Sequence, residues 1–129
     1  MSGRLLLDTN IVIAVFAKED KVQAHLVSAT EVFVSAIVIG ELYYGAYKSS
    51  RVTENIAKIR QFAANNTVLV SDTETAEAYG RIKGALRGKG RPIPENDIWI
   101  AATAVQYNLA LVTRDGHFGE VDGLLIEAW

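Results

Sequence analysis

The chain has 129 residues, half of them hydrophobic and 22% charged; that is the size of one domain and too apolar for intrinsic disorder. It contains no cysteine, which excludes a disulfide framework and thiolate chemistry and leaves oxygen or histidine to hold any metal. The formal charge of −2 does not by itself announce a polyanion partner.

Hydrophobic spacing divides the chain into short strand-like runs and longer amphipathic ones. Residues 4–7 predict a strand, and residues 10–17 and 21–29 predict helices, the second with Val22, Leu26 and Ala29 on one face. The apolar run 11–17 is far too short to cross a bilayer. Asp8 interrupts the leucines after Met1-Ser-Gly-Arg4 too early for a cleavable leader, so a cytoplasmic globule is expected. A strand at 32–34 leads into a helix over 36–49, and 52–63 carries the helical stripe Val52, Ile56, Ile59, Phe62. Asn65-Asn66 turns the chain into a strand at 67–70. Ser71 and Glu74 have capping-box spacing for a helix reaching Leu86, with Ala76, Tyr79, Lys83 and Leu86 on one face. Gly88, Gly90, Pro92 and Pro94 form a loop, and Pro94 suits the first position of a helix ending near Tyr107. A strand at 109–113, a loop at 115–123 and a strand at 124–127 complete the pattern. The expected fold is a single α/β domain over residues 1–129, a sandwich with a mostly parallel sheet of about five strands flanked by helices.

In such sheets, function collects at the carboxyl edge, where strands end and helices begin. Asp8 follows the first strand, Asp115 lies just past the strand ending at Thr113, and Asp97 falls in the first turn of the Pro94 helix. Taken singly, Asp8 and Asp115 are ordinary cap and turn residues. Glu41 is less ordinary. It sits in the uncharged stretch 36–46, with Ile37, Val38, Tyr44 and Gly45 as its helical neighbours, so no local cation pairs with it. Asp97, among Ile93, Pro94, Ile100 and Ala101, has the same problem. Converging carboxylates repel one another or take up protons, and a hard divalent cation removes the conflict. All-oxygen ligation suits Mg²⁺, or Mn²⁺, rather than Zn²⁺. His25 reads as a surface helix residue; His117 lies within reach of Asp115 but is not counted as a ligand.

These residues carry a resemblance. Leu6-Leu7-Asp8-Thr9-Asn10, Ser35-Ala-Ile-Val-Ile-Gly-Glu41-Leu-Tyr-Tyr-Gly45, Asn96-Asp97-Ile-Trp-Ile-Ala-Ala-Thr-Ala104 and Leu111-Val-Thr113-Arg-Asp115-Gly-His-Phe118 resemble, in order and over the whole chain, the PIN-domain nucleases, specifically the VapC-type toxin ribonucleases. The resemblance implies a metal-dependent endoribonuclease with Asp8, Glu41, Asp97 and Asp115 as its acidic set. It implies Thr9, Asn10 and Thr113 as supporting polar residues, homodimerisation, and inhibition by a small antitoxin. Carboxylate-held Mg²⁺ supplies what phosphodiester hydrolysis needs, which is an activated water and neutralised phosphate charge.

Other readings fit less well. A phosphoacceptor receiver would place its acids at strand ends with a late lysine, and no lysine follows Lys89. A haloacid-type phosphatase would want an Asp at Asn10, and the stretch Gly84 to Lys89 is one residue short of a phosphate-binding loop. A non-catalytic module binding RNA or protein would share the fold, since fold alone does not decide function.

Five of the thirteen basic residues (Arg81, Lys83, Arg87, Lys89 and Arg91) fall between 81 and 91 without an acid, against an acidic remainder. Arg87, Lys89 and Arg91 enter the loop before Asp97 and are candidates for RNA phosphate contacts. No row of aromatics for stacking bases stands out, and Tyr43, Tyr44 and Tyr47 read as core or partner-contact residues. Val12, Val15, Phe16 or these tyrosines are the expected dimer face.

Overall fold

A computed structural model describes Gly3–Trp129; Met1 and Ser2, which open the expected domain and the leader-like stretch, lie outside the described residues. Strand β1 (Arg4–Leu7) is followed by α1 (Thr9–Phe16) and α2 (Asp20–Ser28), then β2 (Glu31–Ser35), α3 (Ala36–Tyr47) and α4 (Val52–Ala64). Next come β3 (Thr67–Leu69), α5 (Thr73–Lys89), α6 (Glu95–Tyr107) and β4 (Ala110–Val112). A 3₁₀ turn, Gly116–Glu120, precedes the short β5 (Ile126–Glu127).

The sheet runs β3-β2-β1-β4-β5, and every pairing among the described residues is parallel. β1 therefore lies at the centre. Its residues Leu5, Leu6 and Leu7 are buried on both faces, as the continuous leucine run requires of a strand covered from two sides. The core joins Ile11, Val12, Val34, Val38, Leu111 and Val112 with α6, which buries Ile98 and the run from Ile100 to Ala104. Small alanines let α6 sit deep, with α5 packed along it.

This order places three element junctions at one edge. Asp8 directly follows β1 and caps α1, Ser35 ends β2 and caps α3 through Val38 N at 3.2 Å, and Thr113 directly follows β4. The amide of Asp8 donates to Val112 O at 2.9 Å, so β1 and β4 stay in register up to that edge.

Several expectations are corrected. The cap of α5 is Asp72, which exchanges bonds with Thr75, because the aspartate carboxylate reaches the N3 amide from one position later than Ser71. The buried stripe of α5 is Thr75, Ala78, Ile82 and Leu86; Ala76 and Lys83 face out, and Lys83 pairs with Glu95 at 2.9 Å. The helix also runs on through Gly88 to Lys89 and ends at Gly90 with φ 68°, so Arg87 and Lys89 are helical rather than in the loop. Pro94 caps α6 from outside its first turn. Val12 is fully buried in the core and is removed from the expected dimer face, whereas Tyr44 and Tyr47 are exposed as that reading required.

Candidate active site

Asp8 is 3% exposed and fully engaged. Its Oδ1 accepts from Thr9 N at 2.8 Å, and its Oδ2 accepts from Thr113 Oγ1 at 2.6 Å and from Asn10 Nδ2 at 3.4 Å. Burial pushes its carboxyl above the usual aspartate range; the Thr113 and Thr9 bonds oppose this, and the charges of Asp115 and Glu41 add to it. Asn10 also accepts from Arg114 N at 3.3 Å, which fixes the chain leaving β4 against α1.

Glu41 lies on the second turn of α3, and no ion pair holds it among the described residues. Its Oε1 accepts from Thr9 Oγ1 at 2.5 Å and its Oε2 from Asn96 Nδ2 at 3.2 Å. The lack of a local partner noted in the sequence is thus met by neutral donors from α1 and α6, which satisfy the oxygens without cancelling the charge. Asp97 sits in the first turn of α6, a position favoured for an anion. Burial raises its carboxyl, an effect that His117 opposes and that the charges of Asp8 and Glu41 reinforce.

Asp115 is exposed at the start of the 3₁₀ turn, and its amide donates to Thr113 Oγ1 at 3.0 Å. Thr113 therefore holds two acids at once, Asp8 through its hydrogen and Asp115 through its oxygen. The four predicted acids converge on one edge, and Thr9, Asn10 and Thr113 stand between them.

The structure adds His117 and Asn96 to the site. His117 Nε2 stands 2.5 Å from Asp97 Oδ2, and Asp97, Asp115 and His117 each offer a ligand atom within 4.8 Å of the others. These residues are able to hold a metal ion. The signal for His117 was its distance of two residues from Asp115, which a one-turn 3₁₀ element converts into proximity. Asn96 adjoins Asp97 in sequence but points to Glu41 instead. His25 lies on α2 as expected, half-buried and stacked on Trp129 with ring centroids 4.9 Å apart.

The basic arm divides. Lys89 Nζ bonds Asp122 Oδ1 at 3.1 Å and Glu120 O at 2.5 Å, which commits it to the loop after the 3₁₀ turn and removes it from the predicted phosphate contacts. Arg87 and Arg91 are exposed and have no ion pair among the described residues.

The PIN domain family profile matches residues 5–124. Over 129 aligned residues the chain is 39% identical to Ribonuclease VapC2 of Haemophilus influenzae, with 98% of both chains covered. It is 32% identical to the tRNA(fMet)-specific endonuclease VapC of Salmonella typhimurium, again over 98% of both. The crystal structure of DNA-bound VapBC from Salmonella typhimurium matches with a TM-score of 0.91 at 31% identity, covering 98% of each chain. The chain belongs to the PIN-domain family and, within it, to the VapC ribonucleases of toxin–antitoxin systems.

Proposed function

We propose that this chain is an endoribonuclease that hydrolyses RNA phosphodiester bonds with Mg²⁺, or Mn²⁺, held by Asp8, Glu41, Asp97 and Asp115. The observation that carries the reading is the convergence of four carboxylates, with burial and mutual repulsion raising Asp8 and Asp97 against the opposing effect of His117 on Asp97. Such a donor set fits a hard divalent ion. When bound, that ion neutralises phosphate charge and makes a water nucleophilic at neutral pH.

The chain's own residues set the geometry. Thr113 and Thr9 hold the carboxylates of Asp8 and Glu41 in place through their hydroxyls. Asn96 donates to Glu41, so its outer oxygen cannot rotate away. Asp115, exposed and tethered by its amide, would help hold the metal or orient the attacking water. His117 fixes the Asp97 carboxylate and is a further candidate ligand.

The reading extends to the chain's setting. The whole of residues 1–129 acts as one nuclease domain in the cytoplasm, as a homodimer, and a small antitoxin restrains it. Support comes from relatives solved as VapBC complexes, and from the absence, among the described residues, of a helix long and apolar enough to cross a membrane.

The test is RNA cleavage by wild type, Glu41→Gln and Asp97→Asn, with and without Mg²⁺. Loss of at least about a hundredfold in each variant, with RNA binding retained, is expected. RNA binding without cleavage by any form would favour a non-catalytic module.

A further inference from the structure

We propose that Arg114 is a positioning residue for the metal site: it holds the chain between Thr113 and His117 so that Asp115 and His117 meet Asp97, and thereby sets how tightly the ion is bound. The inference rests on the metal-dependent ribonuclease reading and adds to it a side chain outside the acidic edge. Thr113, Asp115 and His117 each serve that edge, whereas the side chain of Arg114 leaves it. Its Nη2 donates to Glu19 Oε1 at 2.7 Å and its Nη1 to Glu19 Oε2 at 3.3 Å, a two-pronged pair. Its Nε donates to Trp129 O at 2.9 Å, and its own amide to Asn10 Oδ1 at 3.3 Å.

The segment that Arg114 holds has little else to fix it. Asp115 is exposed, and among the described residues its carboxylate accepts no hydrogen bond; only its amide is held, by Thr113 Oγ1. The carboxylate therefore lies where its backbone puts it. His117 follows across Gly116, in a short 3₁₀ turn that no side chain caps. Asp97, Asp115 and His117 must nevertheless keep one ligand atom each within 4.8 Å of the others. The partners of Arg114 are themselves fixed. Glu19 directly precedes α2, and its amide bonds Ala14 O of α1 at 3.2 Å. Trp129 is buried, and its ring stacks on His25 in the last turn of the same α2. An isolated exposed ion pair contributes little. A planar guanidinium that spans a carboxylate and a carbonyl fixes direction as well as distance, and here it ties the strand end that carries the ligands to the corner between α1 and α2.

The test measures binding of Mn²⁺ alone to the metal-free full-length protein by calorimetry, beside RNA cleavage and thermal melts. Arg114→Ala should raise the Mn²⁺ dissociation constant about tenfold, the low end for residues that support a metal ligand. Saturating Mn²⁺ should then restore most of the lost cleavage. Arg114→Lys, a point charge that cannot span both acceptors, should fall between Arg114→Ala and wild type. Glu19→Gln should weaken Mn²⁺ binding less than Arg114→Ala, and adding it to Arg114→Ala should change nothing further, because both act through one contact. Arg4 supplies the control. It also joins a glutamate, Glu31 at 3.2 Å, to a main-chain carbonyl, that of Tyr107 at 3.3 Å, but at the opposite end of β1. Arg4→Ala should lower the melting temperature and leave Mn²⁺ affinity unchanged. If Arg114→Ala does not fold, Glu19→Gln, a change at an exposed side chain, decides by itself. Wild-type Mn²⁺ affinity in the variants of both Arg114 and Glu19 would overturn the proposal and leave the ribonuclease standing. An equal loss of affinity in Arg4→Ala would overturn it too, by making the effect one of general stability. If the unmodified protein neither binds Mn²⁺ nor cuts RNA, both readings fall.

Discussion

Thr113 Oγ1 stands 2.6 Å from Asp8 Oδ2, joining the ends of β4 and β1 across the centre of the sheet with a bond that is buried. A carboxylate this deep depends on its donors. Replacing Thr113 with Val keeps the shape and removes the hydroxyl. The variant should lose about 1.5–3 kcal/mol of stability near neutral pH. The loss should shrink on acidification, because protonated Asp8 no longer needs a donor for its charge. Urea titrations at the two pH values would measure it; an equal loss at both would show that Asp8 is not charged in the folded state.

Asp97 gives a pH prediction with a definite sign. Burial holds its folded-state value above that of the unfolded chain. Through the window between those values the folded state binds more protons, so metal-free stability falls as pH rises and is regained as pH falls. Asp97→Asn has no such group. It should melt roughly 2–5 °C above the metal-free wild type near neutrality, with the gap closing towards about pH 4. A gap that is independent of pH, or a variant that melts lower, would give Asp97 a structural role instead.

Metal should act on stability as well as on rate. Mg²⁺ or Mn²⁺ at a hundred times its dissociation constant stabilises by about 2.7 kcal/mol if it binds only the folded chain. Thermal melts of EDTA-treated protein should therefore rise on adding either ion, cleavage should return with them, and Zn²⁺ should not restore it. Glu41→Gln should blunt the rise. Full activity in metal-free protein would refute the assignment.

The arm should divide in function as it divides in structure. Arg87→Ala and Arg91→Ala should each weaken RNA binding a few-fold and reduce the slope of log K against log salt by about 0.7, the amount for one phosphate on a single strand. Lys89→Ala should leave that slope alone and cost at most about 1 kcal/mol, as an ion pair near the surface. Affinity measured across a salt series on protein freed of its partner checks both halves.

Much of this was legible because it is local. Each strand shows as a short apolar run, α4 as a clean stripe from Val52 to Phe62, and Glu41 as a charge with no neighbour to pair it. What the sequence obscured depended on choices one residue wide. Asp72 and Ser71 are both good caps, and choosing the later one rotates the expected face of α5 from Ala76 and Lys83 to Thr75, Ala78 and Ile82. The relation of Lys89 to Asp122 is 33 residues long and invisible to spacing. Tyr43, Tyr44 and Tyr47 read alike as core or partner-contact residues, and only the structure separates the exposed Tyr44 and Tyr47 from the half-buried Tyr43. A tyrosine on a helix looks the same in sequence whether the next layer covers it or leaves it exposed.

The central place of β1 also bears on how the chain is made. Thr113, the donor that makes the burial of Asp8 tolerable, follows it by 105 residues, and the strand that closes the other side of β1 lies just before Thr113. Chains grow at about 5–20 residues per second, so several seconds pass during which the nascent polypeptide holds Asp8, Glu41 and even Asp97 without the edge that gathers them. An enzyme that cuts RNA is built while threaded through a machine made of RNA. Until Thr113 has been made, Asp8 lacks the donor that makes its burial tolerable, so the acidic edge cannot close around it.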